Sequence, residues 1–223
     1  MTTNTLASLL KPSSATDDSI IIPSGPTLSY AKYSEEIERV AGLLVGAGMR
    51  PGRAVSIILP NSLEFMVLFL AVTRAGAVAA PLNSAYTLDE FKFFMEDADS
   101  QLAIVPPGAN LGRDAAQNLG ISVVDASLDG SSIVLSETGS TLANSADAQP
   151  PSESDVALFL HTSGTTSRPK GVPLTHANLM KSITNIKNHY ELTPDDTSIV
   201  VMPLFHVHGL IGAALSTLNS GGS

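Results

Sequence analysis

AVSIILPNSLEFMVLFLAVTRAGAVAAPL, residues 54–82, contains a strand, a helix and a second short apolar run in immediate succession. AVSIIL (54–59) is apolar and rich in β-branched side chains, the composition of a buried strand. Asn61 then offers an N-cap with Glu64 three residues on, and LEFMVLFLAVTRAG reads as a helix that ends near Gly76. AVAAPL (77–82) is the next short apolar run. The same alternation extends in both directions. Ile37, Val40, Leu43 and Leu44 lie on one face of a helix expected from about Ser29 to Gly46. Thr87 with Glu90 repeats the capping-box pattern ahead of FKFFMEDA, and QLAIVP (101–106) reads as a further strand. Strands alternating with helices imply an α/β fold, a mainly parallel sheet covered by helices.

From Ala126 to Ser154 the composition shifts to Ser, Gly, Ala, Asp and Thr, so this stretch is expected to be a linker or mobile loop, with IVL (133–135) one short strand inside it. DVALFLH (155–161) resumes as a strand. A polar loop, a helix from about His176 to Tyr190, a strand TSIVVM (197–202) and a final apolar helix follow. The expected organisation is an opening subdomain over 1–125, the linker over 126–154, and an α/β segment over 155–223. TLNSGGS gives a turn signal directly after a helix, and the strand Thr197–Met202 has no evident next partner. The expectation is the front part of something longer, marginally stable and prone to aggregate alone.

Composition narrows the function. Apolar residues make up 43% of the 223 and charged residues 15%, enough for a sizeable core. The formal net charge of -9 repels a phosphate backbone, which argues against a nucleic-acid binder while leaving room for a locally built nucleotide site. The absence of cysteine removes disulfides, thiol nucleophiles and cysteine-ligated zinc, and it suits an intracellular protein. MTTNTLASLLKPSS has no basic n-region and no long apolar core, so no secretory signal is read. No membrane span is expected either. Residues 63–82 contain Glu64 and Arg74, and the uncharged run 197–218 is interrupted by Pro203, His206, His208 and Gly209.

The chemistry concentrates in HTSGTTSRPKGV (161–172). Thr162, Ser163, Thr165, Thr166, Ser167 and Lys170 supply short hydroxyl donors and one cation. Gly164 and Gly171 allow close backbone approach, and Pro169 stiffens the turn. An oligophosphate needs this set of donors. The spacing is not that of a Walker A loop, because Gly164 is followed by TTSRP before Lys170 and Gly171. Composition alone fits an ordinary surface turn equally well.

The order of residues goes further. TSGTT-x-x-PKGV after a strand ending LFLH resembles the phosphate-binding motif of the adenylate-forming superfamily, which contains acyl-CoA synthetases, luciferases and peptide-synthetase adenylation domains. The stretch from YAKYSEEIERV to GAVAAPLN is similar to that family's opening subdomain. The resemblance covers nearly the whole chain and is weakest over 107–154. It implies the front part of the family's large N-terminal domain, with Thr162, Ser163, Gly164, Thr165, Thr166 and Lys170 around the β- and γ-phosphates of ATP. Ser167 stands where the family commonly has glycine; serine there is strained if the backbone needs positive φ, and adds a donor if it does not. SRPKGVPL and HVHG resemble the oxalate–CoA ligase branch.

VVMPLFHVHGLIG (200–212) is the second motif. Its histidines fit packed core residues, and His-x-His also fits a metal site, although GLIGAAL supplies no further ligands. The resemblance implies that His206 borders the acyl carboxylate and adenylate as a catalytic and substrate-binding residue, and that His208 lines the acyl pocket. If the segment is extended, both imidazoles face one side and suit a small acid with a second carboxylate, oxalate first. The implied reaction consumes ATP with Mg²⁺ to give acyl-AMP and then uses CoA to form the thioester, in the cytosol or the peroxisome. The residues for Mg²⁺, for the ribose and for the catalytic lysine of the family are not found among these 223, so this piece is expected to be inactive alone. A non-catalytic ATP- or AMP-binding module of the same fold is the alternative.

Overall fold

The computed structural model describes residues 4–10, 15–143, 145–162 and 169–223. A short antiparallel pair, β1 (Asp18–Ile21) and β2 (Thr27–Ser29), leads into helix α1 (Tyr30–Gly46), whose first turn is capped by the Ser29 hydroxyl accepting from the Lys32 N–H. β3 (Ala54–Ile57) is buried along its whole length and is followed by α2 (Leu63–Arg74) and β4 (Val78–Pro81). Then come α3 (Leu88–Asp97), β5 (Ser100–Val105), α4 (Leu111–Asn118) and β6 (Ser122–Asp129). β3 pairs in parallel with β4 on one side and β5 on the other, and β5 pairs in parallel with β6. The expected α/β architecture, a mainly parallel helix-covered sheet, is present.

α2 is apolar all round and correspondingly buried on almost every face. Its N-cap is Ser62, which accepts from the Phe65 N–H at 3.3 Å, and not Asn61 as the sequence suggests. The Asn61 side chain is used elsewhere, as the site shows. α3 carries the expected capping box: Thr87 accepts from the Glu90 N–H and the Glu90 carboxylate accepts from the Thr87 N–H at 2.8 Å.

The first half of the stretch expected as a linker is sheet. β6 runs on to Asp129, Gly130 turns the chain at φ 61°, and β7 (Ser132–Glu137) and β8 (Ser140–Thr141) return antiparallel. Ser, Asp and Thr occupy the outward positions while Ala126, Ile133 and Leu135 are buried inward, so a period of two was present under a loop-like composition. The ladder is tied to α1: the Glu36 carboxylate accepts from the Ile133 N–H, and Arg39 donates to the Ile133 carbonyl.

β9 (Val156–Thr162) then enters the same sheet beside β4, parallel to it, and β10 (Lys170–Thr175) folds back antiparallel on β9. The complete order is β10-β9-β4-β3-β5-β6-β7-β8. α5 (His176–His189) follows, capped by Thr175 and Asn178 in a second capping box. The strand expected over Thr197–Met202 is not formed. The segment is irregular: the Ser198 N–H donates to the Ser223 carbonyl, and the Val200 and Met202 carbonyls accept from the Asn61 amide. Its backbone groups are met by a side chain and a loop in place of a ladder. The closing helix begins as a π-helical stretch, His208–Leu215, and continues as α6 (Ser216–Ser220). Among the described residues, no helix is long and apolar enough to cross a membrane.

Candidate active site

Two features converge near β10. The first is the β9–β10 hairpin. In the antiparallel register Thr162 stands opposite Lys170 and His161 opposite Gly171, so the two ends of the polar loop meet on one rung of the ladder and the 161/171 pair is the next. Thr162 and Lys170 are both exposed. Ser163, Gly164, Thr165 and Thr166, assigned to the phosphates from the sequence, lie outside the described residues, as does Ser167.

The second feature is a groove of about 490 Å³ between α5 and the start of the π-helical stretch. His208, Asn178, Ser182 and Tyr190 contribute polar atoms to an otherwise apolar wall that includes Leu174 and Ile211. β10 joins the features: Lys170 is its first residue, and Leu174, four residues on, lies roughly 13 Å farther along the strand.

The two histidines of the second motif do not share this groove. His206 is exposed; its N–H donates to the Pro203 carbonyl at 3.1 Å, and its ring lies 4.7 Å from that of Phe205. His208 is the first residue of the π-helical stretch, and His206 lies in the bend just before it, so the chain is not extended between them. The expectation of an extended segment with both imidazoles on one face is therefore not met; His208 lines the groove and His206 is not part of its wall. Gly209 explains the turn. A Cβ there would stand 2.5 Å from the Pro203 carbonyl oxygen and 2.6 Å from that of Met202, so the helix start is pressed onto backbone.

Residues not assigned to the site from the sequence hold these pieces. Asn61 donates to the Met202 carbonyl at 2.9 Å and accepts from the Leu204 N–H at 2.8 Å, fixing the segment that precedes His206. His161, at the end of β9, accepts or donates through Nε2 to Asp97 Oδ2 at 2.9 Å and is packed against the rings of Phe94 and Phe159. His176, the first residue of α5, is buried; its Nδ1 accepts from the Leu6 N–H at 3.2 Å and its Nε2 has no partner. Burial pushes its pKa down to about 4, with the Asp155 carboxylate pulling weakly the other way. None of these contacts has a local sequence signature, because the partners are 64 to 170 residues apart.

A family model described as AMP-binding enzyme matches residues 12–223. The chain belongs to the AMP-binding enzyme family. The oxalate–CoA ligase of Arabidopsis thaliana is 50% identical over 199 residues, covering 87% of this chain and 39% of that protein. The "Probable CoA ligase CCL9" of Humulus lupulus is 48% identical over 226 residues, covering 97% of this chain and 43% of that protein. Among solved structures, ATP-bound MatB from Rhodopseudomonas palustris superposes with a TM-score of 0.82 at 33% identity, covering 99% of this chain and 44% of that one. This AMP-binding family chain thus spans about two fifths of the length of the curated relatives it matches.

Proposed function

We propose that the chain is the phosphate- and acyl-binding part of an ATP-dependent acid–thiol ligase acting on a small carboxylic acid, oxalate first. The observation that carries this reading is the layout of β10, with Lys170 at the base of the polar loop and Leu174 in the wall of the groove that holds His208. Thr162 and Lys170, together with Ser163, Gly164, Thr165 and Thr166, supply hydroxyl, backbone and ammonium donors for the β- and γ-phosphates. ATP with Mg²⁺ supplies an electrophilic α-phosphorus and a leaving pyrophosphate. The carboxylate substrate attacks that phosphorus to give acyl-AMP, and the CoA thiol then displaces AMP. His206, exposed beside the groove-bearing segment, is the group assigned to hydrogen-bond the reacting carboxylate.

A short diacid fits the polar groups of the groove. His208, Asn178 and Ser182 line the groove and are side chains that can donate to a second carboxylate. The name of the Arabidopsis relative, at 50% identity, points to the same acid.

The experiment is ATP–pyrophosphate exchange by the full-length protein with oxalate, malonate, a medium-chain fatty acid and a cinnamate-type acid. Oxalate is expected to give the highest rate. His208→Phe is expected to lower oxalate-dependent exchange by roughly tenfold or more and to raise the apolar acids relative to it. An unchanged preference order removes the assignment of His208, and nucleotide binding without exchange for any acid replaces the ligase by a binding module.

A further inference from the structure

We propose that His161 and Asp97 form a positioning pair that fixes the two ends of the phosphate-binding loop; this rests on the reading of residues 162–170 as that loop. Asp97 is the last residue of α3, at the helix end where the backbone dipole disfavours a carboxylate. Its Oδ2 lies 2.9 Å from His161 Nε2, a bond that reaches from the helix layer to the sheet. The His161 side chain is only 7% exposed, and its ring is held 4.6 Å from Phe94 and 5.2 Å from Phe159, centroid to centroid. The imidazole therefore has little freedom to swing away from the carboxylate.

The same carboxylate also lies over the place where the second strand of the hairpin would carry a side chain. Gly171 stands opposite His161, and a Cβ at Gly171 would lie 3.1 Å from Asp97 Oδ2 and 2.3 Å from Phe159 Cζ. The absence of a side chain at Gly171 is what lets Asp97 and Phe159 close over both strands at once. Thr162 and Lys170 form the adjacent rung, about 3.3 Å farther along each strand. Clamping the 161/171 rung from α3 sets where the Lys170 ammonium and the Thr162 hydroxyl start, without either Asp97 or His161 touching nucleotide. Donors fixed in advance lose less freedom when they engage a phosphate.

The test measures ATP KM, kcat and Tm in the full-length protein. His161→Phe keeps a ring in the aromatic cluster and removes the polar bond; His161→Gln keeps a donor; Asp97→Ala removes the acceptor at a site 40% exposed. His161→Phe and Asp97→Ala are each expected to raise ATP KM roughly tenfold with kcat changed less than about threefold. The double variant is expected to be no worse than either single one, and His161→Gln to recover most of the loss. If His161→Phe fails to fold, Asp97→Ala and His161→Gln carry the comparison. Unchanged ATP KM in both single variants overturns the pair, as does a fall in Tm with no KM change. Lys170→Ala is run beside them: if it raises ATP KM and the pair variants do not, the clamp alone falls, whereas no response from any of the three removes the phosphate-loop reading with it.

Discussion

Lys170 and His176 sit six positions apart and do opposite things with charge. Lys170 is exposed at the base of the hairpin, so truncating it costs little packing. Lys170→Ala is expected to leave Tm within about 2 °C and to weaken ATP use by the equivalent of about 1.5–3 kcal/mol, the value of a charge-assisted contact. Steady-state ATP kinetics beside a thermal melt checks it. His176 is buried and neutral, with its pKa depressed to about 4. The native state therefore resists a proton that the unfolded chain takes up near pH 6.5. Stability from this group is complete above about pH 6.5 and is lost as pH falls toward 4, by on the order of 3 kcal/mol in total. Urea titrations between pH 7.5 and 4.5 test this, and His176→Gln is expected to flatten the slope between pH 6.5 and 5, before the carboxylates contribute.

The elements differ in how openly the sequence declares them. β3, β4, β5 and β9 are apolar runs bounded by turn or cap residues, and each is found within a residue or two of its expected place. β10 is harder to see because KGVPLT contains Pro173; its place as the end strand of the sheet is where a residue without an N–H is tolerated. β6 to β8 were hidden by serines and a glycine turn, although the buried alternation was there. The TSGTT-x-x-PKGV pattern was visible as a motif in the sequence, while the His161–Asp97 contact, set by tertiary packing, was not. At the second motif the sequence showed the histidines but not the helix that begins at the second of them. Gly209 is the residue that decides this. Gly209→Ala drives a methyl into two carbonyl oxygens, so it is expected to destabilise by about 2–3 kcal/mol and to displace His208. Denaturant melts read the first effect, and the acid preference in the exchange assay reads the second.

At the scale of the whole molecule, among the described residues, the irregular segment after α5 leaves large apolar side chains open. Ile199 and Val201 are 83% and 79% exposed on the irregular segment, with Met202 and Val207 also uncovered. Such a stretch invites self-association. The 223-residue chain is expected to sediment as more than a monomer at micromolar concentration, and Ile199→Lys with Val201→Lys is expected to shift it toward monomer without lowering Tm by more than about 1 °C. A monomeric wild-type chain in sedimentation velocity would contradict this.

The bond from the Leu6 N–H to His176 Nδ1 spans 170 residues, and the Tyr30 hydroxyl donates to the Gly222 carbonyl across 192. During synthesis, at roughly 5–20 residues per second, Leu6 leaves the ribosome some 10–30 s before its partner exists. Over that interval the leucines of the nascent amino-terminal segment wait for a helix that has not yet been translated.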